Sequence, residues 1–247
     1  MDESPNMDEL FIQRMTWPQV DAAIAYGATT AIVCAASTEQ HGPHLPEATD
    51  ELLGEAYAAG LARRLDNALV APVLRPGCSD HHMAFAGSLT LPPELLMDLL
   101  DHYLASLRRH GFTRFVVFSS HGGNYPVLAR WLEQRSPADA VVLTDLGLFD
   151  VGFEALRRFG RDDHTGPHAE VLETSMLLYL HPELVRMDLA EPGFTGEVDV
   201  QDAFARGFRA ITANGILGNP VGSTPTIGKA VLEAICDELQ ARVRALA

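Results

Sequence analysis

Apolar positions along this chain occur in short runs rich in β-branched residues, separated by longer segments in which they recur with helical spacing. Four runs are short and apolar enough to predict buried strands: residues 30–35, 68–74, 114–118 and 140–144. An alternation of strands and helices is typical of βαβ units, whose crossovers place helices on both faces of a mostly parallel sheet. The pattern therefore predicts a three-layer α/β/α fold.

Helical spacing fills the intervals between these runs. The predicted helices span residues 17–26, 50–64, 92–110, 125–134, 148–159, 169–180 and 226–246. The segment 191–225 is rich in glycine and proline and has no periodicity, so we expect a long irregular connection there. No internal repeat or linker divides the chain, which predicts a single domain over residues 1–247 with a flexible N-terminal segment over residues 1–14.

Composition and charge narrow the classes of protein. Hydrophobic residues make up 47% of the 247 residues and charged residues 21%, which is typical of a globular protein. The net charge of −15 argues against nucleic acid and anionic membranes as partners, because both require clusters of Lys and Arg. No apolar stretch reaches membrane-spanning length, and the acidic N-terminus differs from a secretory signal, so we expect a cytoplasmic protein. Three widely spaced cysteines are expected to be reduced thiols: Cys34, Cys78 and Cys236.

The first group of metal-binding residue types follows the run 30–35. Glu39 and His41 are two positions apart, so in an extended segment their side chains point to the same side. Asp50 begins the next predicted helix, where its carboxylate either caps the helix or joins Glu39 and His41 as a ligand. Mixed sets of imidazole and carboxylate suit Zn²⁺, Mn²⁺ or Fe²⁺, so the three residues together favour a metal site.

A second group, the sequence HGGN at 121–124, follows the run 114–118. Paired glycines at the start of a helix can cradle an anion, but the Lys of a Walker loop is missing, so His121 as a metal ligand explains more. The two serines before it lack the GxSxG pattern of a nucleophile elbow, which disfavours serine hydrolase chemistry. Because strand ends of an open α/β sheet meet in one crevice, we expect His121 near Glu39 and His41.

A third group opens the helix predicted at 169–180. Glu170 and Glu173 lie three positions apart and would share one face of a helix. Apolar residues flank Glu173, so we expect a buried carboxylate that requires either a metal ion or the partner of a salt bridge. His168 is either a proton donor or a plain loop histidine. Three further loop histidines are expected at the solvated surface: His81, His82 and His164.

Several different motifs follow one another along the chain, from about Met15 to the C-terminal helix. They lie at residues 39–46 with 49–50, 77–79 with 82 and 85–88, 121–124, 168–169 with 173–175, 182–185 and 218–220. In residues and order these motifs resemble the creatininase family of metal-dependent amidohydrolases.

The resemblance implies an α/β/α fold with two divalent ions at the strand ends. It assigns Glu39 and His121 to one ion, His41 to the other ion and Asp50 to a position that bridges them. It also implies a homo-oligomer, such as a hexamer.

Two departures from creatininase affect what the resemblance implies. Creatininase supplies a further metal ligand at the position of Gly123, so Glu173 or water has to replace that ligand here. Creatininase closes its pocket with tryptophans that precede the histidine matching His168, whereas this chain has only Trp17 and Trp131. We therefore do not expect creatinine as the substrate.

The leading hypothesis is hydrolysis of a non-peptide C–N amide bond, in a linear amide, a formamide or a lactam, by a metal-activated water. One or two ions of Zn, Mn or Fe per chain and a small-molecule amide substrate follow from it. His168 would protonate the leaving nitrogen, and Glu173, if it is not a ligand, would orient His168 or accept the proton of the water. The alternatives are a metal-dependent peptidase acting on a short peptide end, and a non-catalytic scaffold that has lost the second metal.

Overall fold

The computed structural model describes residues 9–145, 147–161 and 168–246. Within these residues the strands form one parallel sheet in the order β2-β1-β3-β4. The strands are β1, Thr30–Ala35; β2, Ala68–Val70; β3, Arg114–Ser119; and β4, Ala140–Val142. β1 and β3 pair along their whole length, from Thr30 opposite Arg114 to Ala35 opposite Ser119.

Helices cover both faces of this sheet. They are α1, Trp17–Ala25; α2, Thr49–Ala62; α3, Pro93–Arg109; α4, Tyr125–Arg135; α5, Gly147–Arg157; α6, Val171–Leu180; α7, Val200–Arg206; and α8, Pro225–Ala245. Successive side chains of a strand point to opposite faces. Ile32 and Cys34 of β1 accordingly share one core with α2, α5, α6 and α8, while Ala31 and Val33 share the other with α1, α3 and α4. The three-layer α/β/α prediction is confirmed.

Several predicted boundaries differ from the structure. β2 is continuous only to Val70, although Leu74 bridges again to Ala35, and β4 ends at Val142 and not at residue 144. Residues 9–14 pack against the sheet, where Phe11 is buried and bridges to Val70, so the expected flexible segment 1–14 does not describe them. Residues 1–8 lie outside the described part of the chain.

The segment 191–225 contains the short helix α7, which the sequence pattern did not predict. Asp199 caps this helix by accepting hydrogen bonds from the backbone N–H groups of Gln201, at 2.9 Å, and Asp202, at 3.1 Å. Across the described helices, none combines the length and the hydrophobicity that a bilayer crossing requires.

Strand order determines where a site can form. The chain passes from β1 to β2 on one side and then to β3 on the other side of β1, so the connections diverge at the carboxyl ends of β1 and β3. In open α/β sheets, ligands bind in the crevice at such a switch point.

Candidate metal centre

The predicted site residues from three separate parts of the chain meet at this crevice. Glu39 and His41 follow β1, Asp50 lies in the first turn of α2, and His121 follows β3. Glu173 reaches the same place from the first turn of α6. All five side chains are buried, with no more than 3% of their surface exposed.

Asp50 lies between two groups of ligand atoms. Its Oδ2 is 3.3 Å from Nδ1 of His121, and Oε1 of Glu39 is 3.2 Å from the same nitrogen; we call these three residues the His121 half. Its Oδ1 is 3.4 Å from Nε2 of His41, and Oε2 of Glu173 is 3.7 Å from that nitrogen; these form the His41 half. The carboxylate of Asp50 therefore faces both halves, as a bridging ligand does.

Hydrogen bonds to backbone carbonyls fix the tautomers of the two histidines. Nδ1 of His41 lies 3.0 Å from the carbonyl oxygen of Glu39, and Nε2 of His121 lies 3.2 Å from that of Cys78. A carbonyl oxygen only accepts, so these two nitrogens carry the protons. When these rings are neutral, their unprotonated nitrogens face the carboxylates, which is the state in which a metal binds.

Several buried atoms of the centre have no hydrogen-bond partner among the described residues. They are Oε2 of Glu39, Nε2 of His41 and Oδ2 of Asp50. A buried polar atom without a partner costs roughly 1–3 kcal/mol, and more when it is charged. Glu39, Asp50 and Glu173 would also place three negative charges in one buried space. Divalent ions would satisfy both the unpaired atoms and the excess charge, so the residues present fit a metal centre.

The pKa shifts show the same need for positive charge. Burial lowers the pKa of His41, but the charges of Asp50, Glu173 and Glu39 outweigh burial and raise it to about 10. Burial likewise lowers the pKa of His121, but Glu39 and Asp50 raise it well above its usual range. Burial and the neighbouring Asp50 raise the pKa of Glu173 to about 7. The site therefore attracts cations strongly.

The interpretation of Asp50 as a helix cap is not what the structure shows. The N-cap position of α2 is Ala48, which makes no side-chain capping bond, and both oxygens of Asp50 face the histidines. The cap of α6 is Glu170, which accepts hydrogen bonds from the N–H groups of Leu172, at 2.6 Å, and Glu173, at 3.4 Å. Glu170 therefore caps the N-terminus of α6 and does not share a helix face with Glu173.

His168 borders the centre as expected, and its environment defines one reactive atom. Nε2 of His168 donates to the carbonyl oxygen of Gln40 at 2.8 Å, so Nδ1 is the unprotonated nitrogen. This Nδ1 lies 4.0 Å from Oε1 of Glu39. Burial and the neighbouring His41 lower the pKa of His168 well below its usual range, so the ring is neutral.

Two histidines expected at the surface are buried in the site. His82 donates from Nε2 to Oε1 of Glu39 at 3.3 Å, because the side-chain amide of Gln40 occupies its Nδ1 at 2.9 Å. His81 lines the same cavity and stacks near His121. The short helix that carries both has no periodic signal, although His82 is part of the motif at 77–88. His164 lies outside the described residues.

The serines next to His121 have structural partners. Ser119 donates to the carbonyl oxygen of Ala35 at 2.6 Å, and Ser120 donates to that of Asp50 at 2.7 Å. Neither hydroxyl contacts an imidazole that would activate it, within the described residues. Both hydroxyls therefore serve structural hydrogen bonds in the described part of the chain.

The centre opens into a cavity of about 160 Å³. Its remaining wall is mostly apolar and carries Phe149, Phe153, Val198, Ala203, Phe204, Phe208 and Leu217, together with the polar side chains of Ser120 and Asp150. Neither tryptophan of the chain reaches it, since Trp17 is 80% exposed and Trp131 is buried in the core beside α3. Phenylalanines thus form the aromatic surface of this site.

An α/β/α fold with carboxylate and imidazole ligands at its strand ends belongs to the class of metal-dependent hydrolases. A sequence model of the creatininase family, described as creatinine amidohydrolase, matches residues 13–243. The chain belongs to the creatininase family and is a metal-dependent hydrolase that acts on C–N bonds. The family resemblance in the motifs is confirmed.

Relatives of known structure or function support this assignment. The mycofactocin precursor peptide peptidase of Mycobacterium tuberculosis (strain ATCC 25618 / H37Rv) is 34% identical over 84% of this chain and 81% of that protein. The creatinine amidohydrolase of Pseudomonas putida is 27% identical over 72% of this chain and 75% of that protein. A creatininase mutant of the Zn-Zn type superimposes with a TM-score of 0.79 at 26% identity, covering 96% of this chain and 98% of that chain.

Proposed function

We propose that this chain hydrolyses an amide C–N bond that carries an apolar substituent, at a centre of two divalent ions. The observation that carries the proposal is the juxtaposition of three unpaired ligand atoms, on Glu39, His41 and Asp50, with a cavity walled by phenylalanines. Ligand atoms without partners indicate where ions bind, and the apolar wall beside them indicates what else the site holds.

Each half of the centre would hold one ion. Glu39 and His121 would bind the first, His41 and Glu173 the second, and Asp50 would contact both. Glu173 thereby replaces the ligand that Gly123 cannot supply. Mixed imidazole and carboxylate sets accept Zn²⁺, Mn²⁺ or Fe²⁺. Ions in such a site lower the pKa of a bound water toward neutrality and polarise a carbonyl oxygen.

His168 would move the proton that the reaction releases. Its Nε2–H is held by the carbonyl of Gln40, so Nδ1 is the atom that accepts a proton from the attacking water and then donates it to the leaving nitrogen. The sequence predicted His168 as the donor, and the tautomer adds that it first has to act as an acceptor. If Glu173 is not a ligand, its carboxylate is the alternative acceptor.

The substrate is expected to bear an uncharged apolar group. No Lys or Arg occurs among the described residues that line the cavity, so a substrate carboxylate would find its counter-charge only at the metal ions. Phe149 and Phe153 from α5 line the cavity together with Phe204 and Phe208, which suits a benzyl-sized substituent. Creatinine, a small polar ring, lacks such a group.

A peptide is the second candidate substrate. It is favoured by the relatives named as peptidases of a precursor peptide, which match this chain at 29% to 34% identity. An aromatic side chain next to the scissile peptide bond would occupy the same apolar wall. The two candidates therefore share the chemistry and differ in whether the amide lies in a chain.

A panel of matched amides tests the proposal. Protein loaded separately with Zn²⁺, Mn²⁺ and Fe²⁺ is assayed on formamides, lactams and linear amides with benzyl or methyl substituents, and on short peptides with an aromatic residue at either end. We expect the benzyl member of each pair to be hydrolysed faster, and chelation to abolish turnover. Equal rates for benzyl and methyl substrates would contradict the role of the apolar wall, and turnover that survives chelation would contradict the metal centre.

We also propose a homo-oligomer, as the family resemblance implies. Part of the segment 191–225 covers the crevice, since Phe204 and Phe208 pack on His81, and its outer face is free to contact another copy. Light scattering at micromolar concentration is expected to give a mass several times that of one chain. A monomer would contradict the proposal.

A further inference from the structure

We propose that His81 is a further ligand of the ion in the His121 half. This rests on the proposed metal function and adds to it a residue that has no counterpart in the ligand set of creatininase. The reason lies in how this chain uses the space at Gly123, where creatininase carries a metal-binding glutamate.

His81 stands beside the ligands of the His121 half. A ring nitrogen of His81, a carboxylate oxygen of Glu39 and a ring nitrogen of His121 all lie within 4.8 Å of one another. The rings of His81 and His121 are nearly parallel, with 10° between their planes and 5.6 Å between centroids. His81 is buried, with 7% of its surface exposed, and that exposed part faces the cavity.

His81 differs from the other histidines of the site in its hydrogen bonds. Of His41, His82, His121 and His168, each has one ring nitrogen bonded to a backbone or side-chain group of the protein. In the described part of the chain, neither ring nitrogen of His81 has such a partner. Because His81 also lines the cavity, a ring nitrogen without a protein partner is available to an ion there.

The position of His81 depends on the glycine at 123. A Cβ built on Gly123 would lie 2.9 Å from Cε1 of His81 and 2.4 Å from Nε2 of His121, closer than real Cβ atoms approach. The same construction on Gly122 meets nothing within 4 Å. The Cβ on Gly123 would also lie 2.4 Å from the carbonyl oxygen of Cys78, so the position requires glycine, and the glycine leaves room for the imidazole of His81 beside it.

Aromatic neighbours restrict the ring of His81 to this orientation. The ring of Phe204 lies 4.2 Å and that of Phe208 5.0 Å from the ring of His81, on the cavity side. These apolar contacts offer no hydrogen bond and leave the polar edge of the imidazole to the centre. A neutral imidazole nitrogen is a ligand that suits Zn²⁺, Mn²⁺ and Fe²⁺.

Cobalt-loaded protein tests the assignment without reference to turnover. Co²⁺ is titrated, with a competing chelator, into the wild type, His81→Gln and a control, His110→Gln, in which the histidine is exposed at the end of α3. Proton NMR then counts the exchangeable N–H signals shifted by the bound ion, because each ligating histidine with a protonated second nitrogen contributes one.

We expect His81→Gln to lose one shifted N–H signal that the wild type and His110→Gln retain. We also expect it to bind one of the two ions at least about 100-fold more weakly, since even an outer-shell partner of a ligand typically contributes about 10–100-fold. His81→Glu, which restores a ligand atom, should recover most of the affinity without recovering the signal. Circular dichroism confirms that each variant is folded.

Unchanged signals and unchanged affinity in His81→Gln would overturn the inference while leaving the metal centre in place. An affinity in His81→Glu as low as in His81→Gln would also overturn it, because a ligand role tolerates a carboxylate. A wild type that binds no Co²⁺ would instead refute the proposed metal function itself, and the inference with it.

Discussion

The two halves of the centre are held in place to different degrees. In the His121 half, Nε2–H of His121 is fixed between the carbonyl of Cys78 and the hydroxyl of Ser79, each at 3.2 Å, and His82 donates to Glu39. In the His41 half, the carbonyl oxygen of Glu39 also accepts from Nδ1–H of His41 at 3.0 Å, but Oε2 of Glu173, the oxygen nearest His41, is already engaged by the N–H of Ala169 at 2.6 Å.

This difference indicates which half of the centre should bind the first metal ion. Ligands that are held before the ion arrives require less reorganisation, so the first ion should bind more tightly in the His121 half. The raised pKa of Glu173, about 7, adds a competing proton in the His41 half. On this proposal, Asp50 would join a tight site to an exchangeable one. The variants below are chosen to break that asymmetry.

The largest effect is expected from His121→Ala. Removal of this ligand should empty the His121 half and lower kcat/KM by at least about 100-fold, beyond the typical loss of an outer-shell partner. The fold should remain, because β3 and its core contacts are untouched. His110→Ala, at an exposed histidine, is the control. Near-normal turnover in His121→Ala would show that His121 is not a ligand.

Glu173→Gln is expected to act on the other half alone. The amide keeps the shape of the side chain but loses the charge that a divalent ion requires, so the weaker ion should be lost while the tighter one stays. Activity should fall roughly 10–100-fold. Full metal content with a shifted pH profile would instead assign Glu173 to the positioning of His168. Full metal content with an unchanged rate and pH profile would mean that Glu173 only forms a buried salt bridge.

The metal-free protein is expected to lose stability as the pH rises from 7 to 9. The folded pKa of His41, about 10, lies above its unfolded value, so the folded state holds a proton that the unfolded state has released in this window. One such proton lowers the free energy of unfolding by about 1.4 kcal/mol per pH unit, or roughly 2–3 kcal/mol over the window. Bound ions replace the proton, so the metal-loaded protein should not show this loss. Denaturant unfolding of both forms measures it, and equal pH dependence would contradict the account.

The smallest effect concerns the substrate. Phe149→Ala should raise KM for benzyl-substituted amides by about 10-fold, since the lost contact is of the order of 1.4 kcal/mol, and leave methyl-substituted amides nearly unchanged. Phe159→Ala is the matched control, because Phe159 is 40% exposed and does not line the cavity. Equal changes in KM for both substrate types would show that Phe149 does not select for the benzyl group.

The sequence predicted the layers and the principal residues of the candidate site, because both depend on local patterns. β1 and β3 are continuous apolar runs, and Glu39, His41 and His121 directly follow them. The rule that the ends of parallel strands meet at one crevice was enough to predict that these three side chains lie close together. The choice between a cap and a ligand for Asp50 depended on three-dimensional contacts: its oxygens face two histidines, which favours the ligand interpretation.

The features that sequence analysis missed arise from contacts between distant segments. His81 and His82 lie on a single 3₁₀ turn, and only the packing of Phe208 over them explains why they are buried. Helix α7 has seven residues, too few for a periodic signal within a segment rich in glycine and proline. Its capping residue, Asp199, was the one local sign of a helix start.

Elemental analysis of protein purified without chelators tests the central claim most directly, when wild type and Asp50→Ala are compared. Asp50 is the residue whose oxygens face both halves, so its removal should weaken both ions together. The account predicts between one and two divalent ions per chain in the wild type and almost none in Asp50→Ala. A wild type with less than about a tenth of an ion per chain, or an Asp50→Ala variant with full metal content, would contradict a centre bridged by Asp50.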